Sequence, residues 1–155
     1  MENSFWFYTI KILHLIGMSI WFGAALSWVR DIKKSLELGE PHLKPMVSRI
    51  NSMSILSTIS GTITIVTGVV FIFLKGGFGV VPIRIHIGFT FALAMFVIGV
   101  FVIRPTWAKI EGTIASNGDI NNAKLNSKKI AMLTSIFHLL WLLTLVTMVV
   151  PFEAL

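Results

Sequence analysis

Residues 5–29, 54–74, 83–103 and 130–150 form four long apolar runs separated by polar, basic segments. A helix needs about 20 predominantly apolar residues to cross a hydrocarbon core roughly 30 Å thick. Each run reaches that length. β-Branched residues are common in them, but the runs are continuous, whereas barrel strands alternate over about ten residues. The pattern predicts an all-α fold: an integral membrane four-helix antiparallel bundle, with residues 1–155 as a single transmembrane domain.

The connecting segments follow the same plan. "RDIKKSLELGEPHLKPMVSRINSM", broken by Gly39, Pro41 and Pro45, separates the first two spans, and its flanks are able to extend the helices beyond the membrane. "KGGFGVVP" is a short glycine-rich turn, with Pro82 suited to the start of a helix. "SNGD" is a turn signal ahead of the basic approach to span four. Span two carries Ser57, Gly61, Thr64 and Gly68 at helical spacing. Such stripes of small residues let helix backbones approach closely in lipid. This one predicts a packing face, within the bundle or between protomers.

Composition agrees with a membrane solvent. Charged residues make up 13% of the chain, against about 25% in a typical soluble domain. Mean hydropathy is +0.84. The net charge of +6 is distributed unevenly. Ten of the thirteen Lys and Arg residues lie in the two connections 30–53 and 104–129; only Lys11, Lys75 and Arg84 lie toward the other side. The positive-inside rule then places both long loops in the cytoplasm and both termini outside. It also explains the high pI without nucleic acid. The first run is too long for a signal-peptide core and has no basic region before it, so it is expected to remain as a span. With no cysteine, disulfides, thiolate metal sites, iron–sulfur clusters and covalent haem attachment through C-x-x-C-H are excluded.

Ionisable residues inside a membrane are costly and face the bundle interior or a cavity. Three histidines lie within the spans: His14, His86 and His138. At a rise of about 1.5 Å per residue, His14 sits roughly 13 Å, His86 about 5 Å and His138 roughly 18 Å below the outer ends of their helices. Gly17 and Trp21 share the face of His14, and Gly17 is expected to leave room for a flat macrocycle. Lys11 lies one turn above, and Arg84 sits at the mouth of span three. Both are placed to pair with propionates, Arg84 by snorkelling. Neutral imidazole ligates haem iron, and a helical bundle holds cofactors between facing helices. Two axial histidines would give a low-spin b-type centre suited to electron transfer. One would leave a position for a small ligand. His14 is the expected first ligand and His86 or His138 the second. The alternative is that these histidines hydrogen-bond neighbouring helices and hold nothing. Trp21, Trp28 and Trp141 fit packing or a cofactor wall equally. Trp6 and Tyr8 look like outer interface residues and Trp107 like an inner one. His42 lies in a polar loop.

The segment "LHLIGMSIWFGAALSWV" resembles the first helix of a group of small bacterial membrane proteins. That group includes the copper-resistance D family, related four-helix proteins and the membrane protoporphyrinogen oxidases that bind b-type haem. Their histidine, tryptophan and glycine match His14, Trp21 and Gly23. "PIRIHIGFTFAL" is similar to the third helix of the oxidase-like members, with Arg84 and His86 at the positions of a basic pair; those members commonly carry lysine where this chain has His86. The resemblance implies a bacterial inner membrane location and a b-type haem on His14.

Together these features lead to a haem-b-binding integral membrane protein passing electrons to or from a quinone or redox protein. The alternatives are a protoporphyrinogen-oxidase-like enzyme, a copper-handling protein using the histidines as metal ligands, and a cofactor-free structural subunit. Homodimerisation is compatible with all four. No acidic residue lies within the spans, so no paired-carboxylate catalytic site is expected.

Overall fold

A computed structural model describes the backbone of residues 2–150 and the side chains of residues 5–150. The helices are α1 (Glu2–Leu38), α2 (Leu43–Leu74), α3 (Ile83–Ile98), α4 (Arg104–Ala115) and α5 (Ile120–Val149). A five-residue π-helical segment, Gly99–Ile103, joins α3 to α4 as one continuous rod. The bundle therefore has four members, as the hydrophobic pattern predicts. α1 lies along α2 and against α5, while the α3–α4 rod lies along α5 and touches α2. Neighbouring helices are antiparallel. All four rods are long and apolar enough to cross a membrane.

The rods outrun the bilayer. α1, with 37 residues, is about 55 Å long. Its residues beyond position 29 therefore project past the hydrocarbon. The basic connections are correspondingly shorter than the apolar pattern suggests, because their flanks are helical. Only Gly39–His42 joins α1 to α2, with Gly39 in the left-handed conformation (φ 68°) that closes α1. Pro45 does not break the chain. It is the third residue of α2, where an N–H would have no partner within the helix. In the second connection, helix continues through Arg104 to Ala115, and Asp119 caps α5 by accepting from the Asn121 N–H at 2.9 Å. Pro105 is the second residue after the π-helical segment. Proline lacks an N–H and its ring crowds the carbonyl four residues back. The widened turn ahead of Pro105 is where the hydrogen-bond ladder adjusts.

Two kinds of core succeed each other along the bundle. At the loop end, Ile32, Met46, Ile50, Ile110 and Ile130 are essentially inaccessible and pack around Trp28 and Trp107. Higher up, within the spans, the buried residues of α2 are Ser60, Gly61, Thr64, Thr67 and, near its end, Ile72, while Ser57 and Gly68 of the expected stripe are only half-buried. The outward face is apolar, with Ile59, Leu93, Phe101 and Leu139 all more than 40% exposed. Water drives burial only where water is present; in lipid, helices associate through close packing of small residues. Gly61 shows how close. A Cβ there would lie 2.9 Å from Cε2 of the Trp21 indole.

Just outside the spans, Arg49 grips Asp31 through two parallel bonds, Nε to Oδ2 at 2.9 Å and Nη2 to Oδ1 at 2.7 Å. The hydrogen bonds from Arg49 hold the Asp31 carboxyl below its usual range.

Gly61→Ala is expected to destabilise the detergent-solubilised protein by about 1–3 kcal/mol through overpacking. Gly23→Ala, where an added Cβ meets nothing within 4 Å, should instead stabilise by roughly 0.5–1 kcal/mol. Thermal unfolding of the two variants checks both signs. The Asp31–Arg49 contribution should be fully present above the ordinary carboxylate pKa and fade as pH falls through the lowered folded value. The melting-temperature gap between the native chain and Asp31→Asn should accordingly close in acid.

Candidate functional site

His14 projects from α1 toward α2. Its Nδ1 lies 2.8 Å from the Thr67 hydroxyl oxygen. The Thr67 hydrogen is already committed, donated to the Ile63 carbonyl at 2.6 Å. With that hydrogen on Ile63, Thr67 accepts from the His14 Nδ1–H, which is the tautomer that leaves the Nε2 lone pair free. Phe71, one turn further along α2, meets the imidazole edge-on with ring centroids 5.7 Å apart. Phe7 supports Phe71 in turn. The ring is thus fixed from two sides. Metal-ligating histidines commonly show this arrangement, one ring N–H given to an acceptor and the other nitrogen available.

His14 borders a crevice of about 480 Å³ whose walls include Phe71, Ile85, Phe89 and Met148. Ligand sites typically occupy about 300–1,000 Å³ and are mostly apolar with a few placed polar groups. Two cations line this crevice, Lys11 from α1 and Lys75 from the end of α2. A smaller void of about 20 Å³ continues inward from His14 to Trp21.

The roles expected of neighbouring residues change. Gly17 leaves no room for a macrocycle, because α2 fills its face: a Cβ there would lie 2.9 Å from the Thr64 hydroxyl and 3.2 Å from the Ser60 carbonyl. The open glycine is Gly68, across from His14, where a Cβ would meet only His14 Cε1 at 3.6 Å. Trp21 does not line the crevice. It is buried against Gly61 and sits edge-on to Phe96 and Phe137, forming the floor of the inner void.

The three histidines are not brought together. Among the described residues, no group of three His, Cys, Asp or Glu side chains is placed to hold a metal ion. His86 turns toward Phe78 of the connection between α2 and α3, with centroids 5.9 Å apart, and does not line the crevice. His138 lies against Phe22, eight residues below His14 on α1 and so about 12 Å deeper; its Nε2 is buried without a partner. Depth accounts for His138 and helical phase for His86. Neighbouring positions on α3, Ile85 and Phe89, take the crevice-facing orientation, and His86 is turned about 100° from Ile85. Arg84 likewise lies outside the lining, with its Nε buried and unpartnered. Lys75 occupies the cationic position expected of it.

A second polar cluster, at the loop end, escaped the sequence reading. Asn51 accepts from the Trp107 indole N–H at 2.7 Å and donates to Glu111 at 2.8 Å, tying α2 to α4. Trp107 is therefore a buried, hydrogen-bonded residue and not an interface anchor. Trp6 and Tyr8 are exposed near the opposite end, as expected of belt residues.

Comparison with known protein families, curated proteins and solved structures finds no match to this chain.

Thr67→Val removes the acceptor for the His14 N–H and should lower stability by about 1 kcal/mol. Thr67→Ser, which keeps the hydroxyl, should restore most of it. Chemical-shift measurement of the His14 ring nitrogens in both variants checks that the tautomer follows the hydroxyl.

Proposed function

We propose that this chain is an integral membrane b-type haem-binding protein that exchanges electrons with a quinone or another membrane redox partner. One observation carries the reading: an intramembrane histidine, its Nδ1 2.8 Å from the Thr67 hydroxyl, borders an apolar crevice that two lysines line.

The residues suit such a group. Gly68 leaves the His14 side of the crevice open, Phe71 and Phe89 supply flat apolar walls, and Lys11 and Lys75 carry the charge that propionates need. Haem, when bound, supplies a one-electron iron couple. The chain's part is to orient one imidazole, exclude water with aromatic walls and hold carboxylates near the membrane surface. Neither His86 nor His138 lines the crevice, so the proposed site uses one histidine per chain. A copper site built on all three histidines has no support in their placement. The positive-inside asymmetry further supports both termini outside and basic loops in the cytoplasm, in a bacterial inner membrane. The lipid phase gives a quinone direct access to the crevice.

The test is the absorption spectrum of protein purified from haem-replete cells, before and after dithionite. A Soret band that shifts on reduction is expected, and its further shift under carbon monoxide would mark an open coordination position. His14→Ala should lose at least nine-tenths of the bound haem. A colourless native protein would overturn the proposal, and so would full haem occupancy in the variant. A reduced spectrum insensitive to carbon monoxide would retain haem but reject the single-histidine site.

A further inference from the structure

At the loop end the bundle interior contains a second, separate cavity of about 40 Å³. Its ceiling is the Trp21–Phe96–Phe137 aromatic cluster, and one wall is the π-helical segment. Two of its lining groups are buried without partners: the Trp28 indole N–H and the Thr134 hydroxyl. Both residues are more than nine-tenths buried.

Thr134 stands out against the other threonines. Every other threonine of the chain, ten in all, donates its hydroxyl to a backbone carbonyl three or four residues earlier. Thr134 makes no such bond. An indole N–H and a hydroxyl left unpaired in an apolar interior are costly, and a buried water is the usual remedy. A water needs at least about 10–15 Å³ of such space and two or more polar partners. This cavity has room for roughly three, with the Ser57 hydroxyl as a further lining group.

The cavity also has a way out. Ser54 and Arg104 line both it and a neighbouring groove of about 370 Å³ that carries Asn51 and Glu111. The groove has mixed walls, with Asn51, Ser54, Arg104 and Glu111 as its polar members, and lies at the basic loop end.

We propose that these two spaces form an aqueous half-channel, which admits water from the loop side past Ser54 and Arg104 and holds it on Trp28 and Thr134. Trp21 closes it above. The same indole borders the void beneath His14, so one side chain separates the loop-side water from the crevice half of the bundle. The half-channel is independent of whether His14 holds a cofactor.

Water-edited NMR and deuterium exchange of the indole N–H groups, in the full chain in lipid bilayers, test the proposal. The Trp28 N–H should receive magnetisation from water and exchange in D₂O. A dry, non-exchanging Trp28 would overturn it. Ser57→Leu fills the cavity and should abolish the Trp28 water signal while leaving the Trp107 resonance in place; persistence of the signal would overturn the site. Ser54→Leu narrows the neck and should slow Trp28 exchange at least tenfold. An unchanged rate would overturn the path from the groove.

Discussion

The close approach of α1 to α2 is the constraint on which the rest depends. Within lipid there is no hydrophobic drive between helices, so contact must come from backbones that fit. Gly17 meets Thr64 and Ser60, and Gly61 receives the face of Trp21. These contacts leave no freedom to rotate either helix. They set the phase at which His14 meets Thr67 and Phe71, and they place Trp21 across the centre of the bundle. The candidate site is therefore a consequence of helix packing, built from side chains one and two turns above the tightest contact.

The bundle changes character along its axis because its solvent does. Past the hydrocarbon, Ile32, Met46, Ile50 and Ile110 must be hidden from water and form an ordinary apolar core. Inside the spans, α2 turns glycine, serine and threonine inward, against a small buried cluster of Trp21, Met95 and Phe137. Threonine serves well there because its hydroxyl can return to its own helix. Two of these hydroxyls do something more or something else. Thr67 returns its hydrogen to α2 and accepts from an imidazole; Thr134 leaves the ladder unbonded. One marks the crevice, the other the loop-end cavity.

Trp21 lies between those two spaces and touches both. The crevice above has two cations and an imidazole; the cavity below has unpaired donors and shares Ser54 and Arg104 with the groove that carries Asn51 and Glu111. A single aromatic layer separating two such chambers is economical in a bundle of only four rods. It also explains why the tryptophan is packed so tightly that its opposing residue on α2 has to be glycine.

Much of this was legible in the sequence. Span number, antiparallel order, Gly61 and Thr64 of the small-residue stripe on α2, and the place of His14 within a span one turn from Lys11 follow from local hydropathy and spacing, because a lipid solvent imposes them on each segment separately; Ser57 and Gly68 of that stripe line open spaces instead. Which faces meet does not follow, because each helix can rotate about its axis without changing its pattern. Only the packed bundle decided that Gly17 serves the α2 contact and Gly68 the open wall, that Lys75 takes the place expected of Arg84, and that His86 and His138 point elsewhere. The cluster at Asn51, Trp107 and Glu111 was invisible for the same reason, since Asn51 lies more than fifty residues from the other two and the three acquire meaning only as neighbours.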